Sequence, residues 1–258
     1  MSLTFWSYAL VCGLVFLAGF IDSIAGGGGV ISLPAYYAVG LPPALAAGTN
    51  KLGAFFGTSV ATLNFARKKH IPWRLGIAAL LGSFPGSWAG AQLFQYIPEN
   101  TVRLIVLIAL PVIAAFILSG KDSLKPRQVI SDRHQTLACF LIGLGVGIYD
   151  GLVGPGTGTL LQLLFVSIIG MEALDASGAA RLVNLASNVG ALLAFIAQGK
   201  ILYSLALPAA LFGMLGNYMG SSWALKKGLS VIRTLLIVVL TLLMLKMAYD
   251  LLLSLHIL

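Results

Sequence analysis

Four charged residues stand inside runs of apolar residues and could do chemistry there: Asp22, Lys51, Asp150 and Arg181. Each acid immediately precedes a stretch that cannot stay helical. Asp22 opens Asp22-Ser23-Ile24-Ala25-Gly26-Gly27-Gly28-Gly29, and Asp150 opens Asp150-Gly151-Leu152-Val153-Gly154-Pro155-Gly156-Thr157-Gly158. Each helical glycine costs about 1 kcal/mol against alanine, and backbone left unpaired in hydrocarbon costs more, so a helix must break at each stretch inside the protein. A short helix restarting beyond such a break presents free N–H groups and the positive end of its dipole, which suits an anion. Glycine lets backbone and ligand approach closely, and Thr157 and Thr159 add hydroxyl donors. The spacing therefore predicts an anion pocket formed by Gly26, Gly27, Gly28 and Gly29 with Gly154, Gly156, Thr157 and Gly158. Close helix packing through small residues is the alternative use of these glycines.

Lys51 and Arg181 would neutralise the anion, because charge buried in membrane segments marks a pathway; snorkelling or pairing with an acid is the competing role. Asn50 and Asn184 add polar faces to the same runs, as do Asn64 and Asn188, unless they serve only as interhelical hydrogen-bonding partners. Asp22 and Asp150 could carry a coupling proton, stay ionised beside Lys51 or Arg181, or simply bond a helix end.

The elements that must position these residues lie in a membrane. Of 258 residues, 59% are hydrophobic and 9% charged, with a mean hydropathy of +0.96, whereas a soluble domain carries about 25% charged residues. The length holds at most about ten crossings and no separate soluble domain. The net charge of +8 is concentrated in short loops between apolar runs, which orients the chain in a bilayer and gives no reason to expect nucleic acid. Residues 3–20 lack the basic start and cleavage site of a signal peptide and are read as retained. Cys12 and Cys139 lie in apolar runs and read as small core residues. Phosphate-loop, dinucleotide, zinc and nucleophile-base motifs are absent, so neither cofactor nor metal is expected. The partners are the bilayer and a small anion, and a homodimer is among the assemblies that the sequence allows.

Apolar runs are expected at residues 3–24, 30–39, 44–66, 75–94 and 101–118, and again at 137–149, 159–169, 174–197, 201–225 and 231–253, with a polar linker at 119–134. The second set repeats the first. Adding 128 maps Gly19 onto Gly147, Asp22 onto Asp150, Gly26 onto Gly154 and Gly28 onto Gly156. Adding 130 maps Gly48 onto Gly178, Lys51 onto Arg181, Phe65 onto Phe195, Gly86 onto Gly216 and Arg103 onto Arg233. Arg103 and Arg233 read as interfacial anchors.

Loop charge orients the halves. Arg67, Lys68, Lys69 and Arg74 mark one loop as cytoplasmic, and Lys121, Lys125, Arg127 and Arg133 mark the linker likewise. The counterpart of the Arg67 loop, Gln198-Gly199-Lys200, is nearly uncharged, while that of the Pro98 loop carries Lys226 and Lys227. The bias has swapped sides. The expected fold is an all-α polytopic membrane protein of two inverted repeats (1–118 and 135–258), each a broken or re-entrant helical hairpin plus three transmembrane helices, with a cytoplasmic linker at 119–134.

Gly26-Gly27-Gly28-Gly29 with Pro34, Gly48-Thr49-Asn50-Lys51, and the echo at 150–158 with Gly178 resemble the TauE/SafE family of membrane transporters over essentially the whole chain. The resemblance implies movement of small sulfur-containing anions such as sulfite or sulfoacetate across the bacterial cytoplasmic membrane, with the glycine tips, Lys51 and Arg181 as substrate contacts. Two other readings remain: an anion or small-solute channel of similar architecture, and, remotely, an intramembrane protease using Asp22 and Asp150 as a carboxylate pair.

Overall fold

The computed structural model describes residues 3–94, 96–98, 126 and 129–227. Within them run α1 (Phe5–Ala25), α2 (Gly29–Ala38), α3 (Pro43–Arg67), α4 (Trp73–Phe94), α5 (Gln135–Leu152), α6 (Thr157–Leu164), α7 (Ala173–Ala197) and α8 (Tyr203–Lys227). A π-helical turn at Phe165–Ile169 continues α6. The described residues are all-helical apart from turns, as the apolar runs predict. The expected runs at 101–118 and 231–253, the anchors Arg103 and Arg233, and most of the linker lie outside the described residues.

Three of the helices, α1, α5 and α7, are long and apolar enough to cross a membrane. The remaining long helices are more polar because they turn glycine, serine, threonine and asparagine toward one another: Thr49, Gly57 and Thr58 in α3, Ser83 and Ser87 in α4, Asn217 and Ser221 in α8 are all buried. Their outward faces carry large apolar side chains, including Leu81 and Trp88 on α4 and Leu211 and Tyr218 on α8, as lipid contact requires.

The breaks fall where the glycines are, but the first is narrower than four residues. Only Gly26 and Gly27 take positive φ, +77° and +98°. Gly28 already has helical φ and ψ, and Gly29 is the first residue of α2. At the second break Gly154 and Gly156 have φ of +85° and +83°.

The packing joins one half of the chain to the other. α1 lies along α8 and α5 along α4, both pairs running in the same direction, while α3 and α7 cross the centre antiparallel. Small residues let the backbones touch. A Cβ placed on Gly143, Gly147 or Gly151 of α5 would come within 1.9, 2.5 and 2.2 Å of the carbonyl oxygens of Ala79, Ser83 and Ser87. On the other side, a Cβ added at Gly216 or Gly220 of α8 would come within 2.1 and 2.2 Å of the carbonyl oxygens of Phe16 and Phe20. In lipid such contact replaces the hydrophobic effect as the force between helices.

The two ends of the bundle are distinct. At one, Thr49 accepts a hydrogen bond from the Leu202 amide at 3.0 Å, and Leu3 and Tyr8 of the chain start pack in one cluster with Val39, Leu41 and Leu202. At the other, His70 bonds Asp175 at 2.8 Å, the Gly178 backbone abuts the His70 carbonyl, and Gln135 donates to the Ile169 carbonyl at 3.3 Å. The α1–α2 hairpin thus begins and ends near Leu202, and α5–α6 begins and ends at the end carrying His70 and Ile169.

Candidate substrate site at the hairpin tips

The two tips touch. Thr159 Oγ1 donates to the Ala25 carbonyl at 2.8 Å, and a Cβ on Gly26 would stand 2.1 Å from the Thr159 nitrogen and 2.4 Å from the Gly158 carbonyl carbon. Only glycine permits this contact at positive φ. Gly29 faces Pro155 across the same junction.

Each acid secures its own tip with one oxygen. Asp22 Oδ1 accepts from the Gly28 amide at 3.0 Å, and Asp150 Oδ1 accepts from Thr157 Oγ1 at 2.8 Å. The other oxygen reaches across to the cation of the opposite half. Asp150 Oδ2 pairs with Lys51 Nζ at 2.6 Å, and Asp22 Oδ2 with Arg181 Nη1 at 3.3 Å, while Arg181 Nη1 also donates to the Asp22 carbonyl. The two pairs exchange partners between halves, and their formal charges sum to zero.

The pairs differ in access. A cavity of about 80 Å³ lies between the tips and the middles of α1, α3, α7 and α8. A water needs about 10–15 Å³ on this scale, so the space suits several waters or an oxyanion of a few heavy atoms. Lys51 and Asp150 are on its wall, and Asn188 accepts from Lys51 Nζ at 3.2 Å. So are Asp22, Gly27, Gly28, Gly29 and Asn50 from the first half, and Gly154, Thr157, Gly158 and Asn184 from the second.

Three residues expected at the pocket are not on this wall: Gly26, Gly156 and Arg181. Gly26 is occupied by the tip junction and Gly156 caps α6 in the left-handed conformation. Arg181 is completely buried behind Gly158, whose added Cβ would lie 2.7 Å from Nη2, and its Nε and Nη2 find no partner among the described residues. Arg181 here braces the tips from behind.

Asn64 bonds Ser221 at 2.8 Å between α3 and α8, the interhelical role weighed for it. Three polar wall residues carry no expectation from sequence: Ser32, Thr58 and Asn217. The available signal was spacing: Thr58 is seven residues after Lys51 on one helical face, and Asn217 is the equivalent, by 130, of Ser87.

Interrupted helices meeting over a polar, charged cavity within a helical bundle are the arrangement of membrane proteins that pass a solute. Comparison with known proteins gives the same class. The family model described as Sulfite exporter TauE/SafE matches residues 11–247, and the chain belongs to the TauE/SafE family. It is 37% identical over 242 residues to the probable membrane transporter protein ORF9 of a Sinorhizobium species, covering 92% of this chain and 91% of that protein. It is likewise 37% identical over 252 residues to the probable membrane transporter protein YfcA of Escherichia coli K12, covering 93% and 91%, and 35% identical over 239 residues to a probable membrane transporter protein of Haemophilus influenzae, covering 91% and 92%. No solved structure matches the chain. The protein is a multi-pass membrane transporter of the TauE/SafE type, not an enzyme, which removes the protease reading.

Proposed function

We propose that the protein is a secondary transporter moving a small sulfur-containing anion, such as sulfite or sulfoacetate, across the cytoplasmic membrane through the cavity between the glycine-rich tips. The two halves are inverted relative to each other, and access alternates as one moves against the other. The contacts that support the inversion are those at the bundle ends: one hairpin starts and finishes beside Leu202 and the other beside His70 and Ile169. The basic residues Arg67, Lys68, Lys69, Arg74, Lys226 and Lys227 would make the His70 end cytoplasmic.

The observation that carries the reading is the Lys51–Asp150 pair on the cavity wall. An ionised Asp150 holds both Lys51 and the Thr157 hydroxyl. Protonation of Asp150, or displacement of its carboxylate, frees an ammonium and a hydroxyl side by side. An oxyanion that enters takes both, together with N–H groups at the start of α2 and α6. A proton carried on Asp150 would then travel with the anion, and Asp22 would play the same part for Arg181.

A thermal-shift screen of the purified protein against sulfite, thiosulfate, sulfoacetate, phosphate and small carboxylates tests the substrate class. Binding at a 100-fold excess over Kd adds about 2.7 kcal/mol, a rise of several degrees in Tm. A sulfur oxyanion is expected to give that rise. A rise with phosphate or carboxylates alone would move the protein to another anion.

A further inference from the structure

The cavity is one-sided. Ala47, Phe94 and Phe195 stand on its wall, and all three belong to the end of the bundle that carries Lys200, where α3 begins and α4 and α7 finish. Shifting each by 130 gives Ser177, Ala224 and Phe65 at the opposite end, all completely buried and none on the wall.

The same contrast holds at mid-depth. Gly53 of α3 and Gly213 and Asn217 of α8 line the cavity, and Gly53 is loosely packed, an added Cβ coming only within 3.7 Å of Tyr36 Oη and 4.0 Å of Ala210. Their counterparts, Val183 of α7 with Ser83 and Ser87 of α4, are locked. Ser83 Oγ donates to the Val183 carbonyl at 3.2 Å and Ser87 Oγ to the Ser187 carbonyl at 2.7 Å, both bonds buried. Gly190 presses on the same seam, its added Cβ 2.4 Å from Ser87 Oγ. On the open side the equivalent of Ser87 is Asn217, whose amide turns back to the Gly213 carbonyl at 2.9 Å, and whose Nδ2 lies 2.4 Å from a Cβ added at Gly57, the equivalent of Ser187.

We infer that this conformation is outward-facing and that Ser83 and Ser87 are its closed cytoplasmic gate, which parts when access passes to the inner face. The inference rests on the transporter reading above. Two helices held by a pair of hydroxyl-to-carbonyl bonds can part without leaving an ionised group behind, because each carbonyl keeps its own helical partner. The exchange also accounts for the unequal cations: Lys51 is on the cavity wall in this state, and Arg181, sealed behind the tips, comes onto the wall in the other.

The test uses single-cysteine reporters at the equivalent positions Gly53 and Val183, in a chain with Cys12→Ala and Cys139→Ala, labelled in oriented vesicles with a charged, membrane-impermeant methanethiosulfonate. Gly53→Cys is expected to react from the outside only, and Val183→Cys from the cytoplasmic side only and more slowly. Adding Ser83→Ala and Ser87→Ala should speed Val183→Cys labelling and slow Gly53→Cys labelling, by about fivefold for each hydrogen bond lost. Ala54→Cys, also on the wall, replaces Gly53→Cys should that variant not reach the membrane. Labelling of Val183→Cys from the outside, its protection from both faces even without the serines, or rates that the serines do not change would each overturn the gate. Flux is measured separately: non-saturating flux with the expected labelling removes the transporter reading alone, and saturating flux with unchanged labelling removes the gate alone.

Discussion

Gly26→Val is expected to abolish anion flux and to destabilise the protein by about 3 kcal/mol or more, since it combines a side chain at positive φ with overpacking. The first atom of the new side chain would have to occupy space 2.1 Å from the Thr159 nitrogen, at φ +77°. The contact it destroys is the one between the tips, so the Thr159 to Ala25 bond goes with it. Gly13, where an added Cβ meets nothing within 4 Å, is the control: Gly13→Val should leave flux and Tm near wild type. Measuring both in proteoliposomes and by thermal unfolding separates a tip effect from a general intolerance of larger side chains in α1. Normal flux through Gly26→Val would show that the tips are not joined during transport.

Lys51→Ala is expected to cost about 3–5 kcal/mol of stability, because it strands the Asp150 carboxylate in a buried site. Lys51→Ala combined with Asp150→Ala should recover most of that loss, since the pair's attraction and its desolvation cost roughly offset each other. Transport should not recover. The double variant has no ammonium to meet the anion and no carboxylate to exchange with it, so its flux stays at background while its Tm returns toward wild type. A plain structural ion pair would behave differently, with flux restored alongside stability. Unfolding curves and sulfite flux on the same three preparations decide between these outcomes.

Much of the helical layout was legible because the chemistry of the chain is coarse-grained by lipid. Apolar runs bounded by proline, glycine and charge placed α3 within one residue of Pro43–Arg67 and α7 within one residue of Ala173–Ala197 at their starts and ends. Backbone in hydrocarbon has no alternative to the helix, so the breaks could only lie at the glycines. What subtraction could not supply was which cation meets which acid. Equal spacing within each half is compatible with Asp22 facing either Lys51 or Arg181; the crossed arrangement follows from α1 lying along α8 and α5 along α4, a tertiary fact with no local signal. Nor could spacing distinguish the two cations, since Lys51 and Arg181 occupy equivalent positions. Their difference, one on the cavity wall and one sealed behind Gly158, is a tertiary fact that equal spacing does not carry. In sequence Asn217, a single asparagine in a helix otherwise rich in glycine and alanine, looks like an interhelical tie, and only the cavity beside it separates it from Asn64.

On the proposed reading an anion binds at a finite site between the tips and is carried across. The most direct measurement is the initial rate of sulfite entry into proteoliposomes as a function of sulfite concentration, with the Lys51→Ala and Asp150→Ala double variant as the blank. Carriage through this site predicts a rate that saturates, is competed by other sulfur oxyanions, and falls to background in the double variant. A rate that rises linearly without limit, or that survives removal of Lys51 and Asp150, would contradict it.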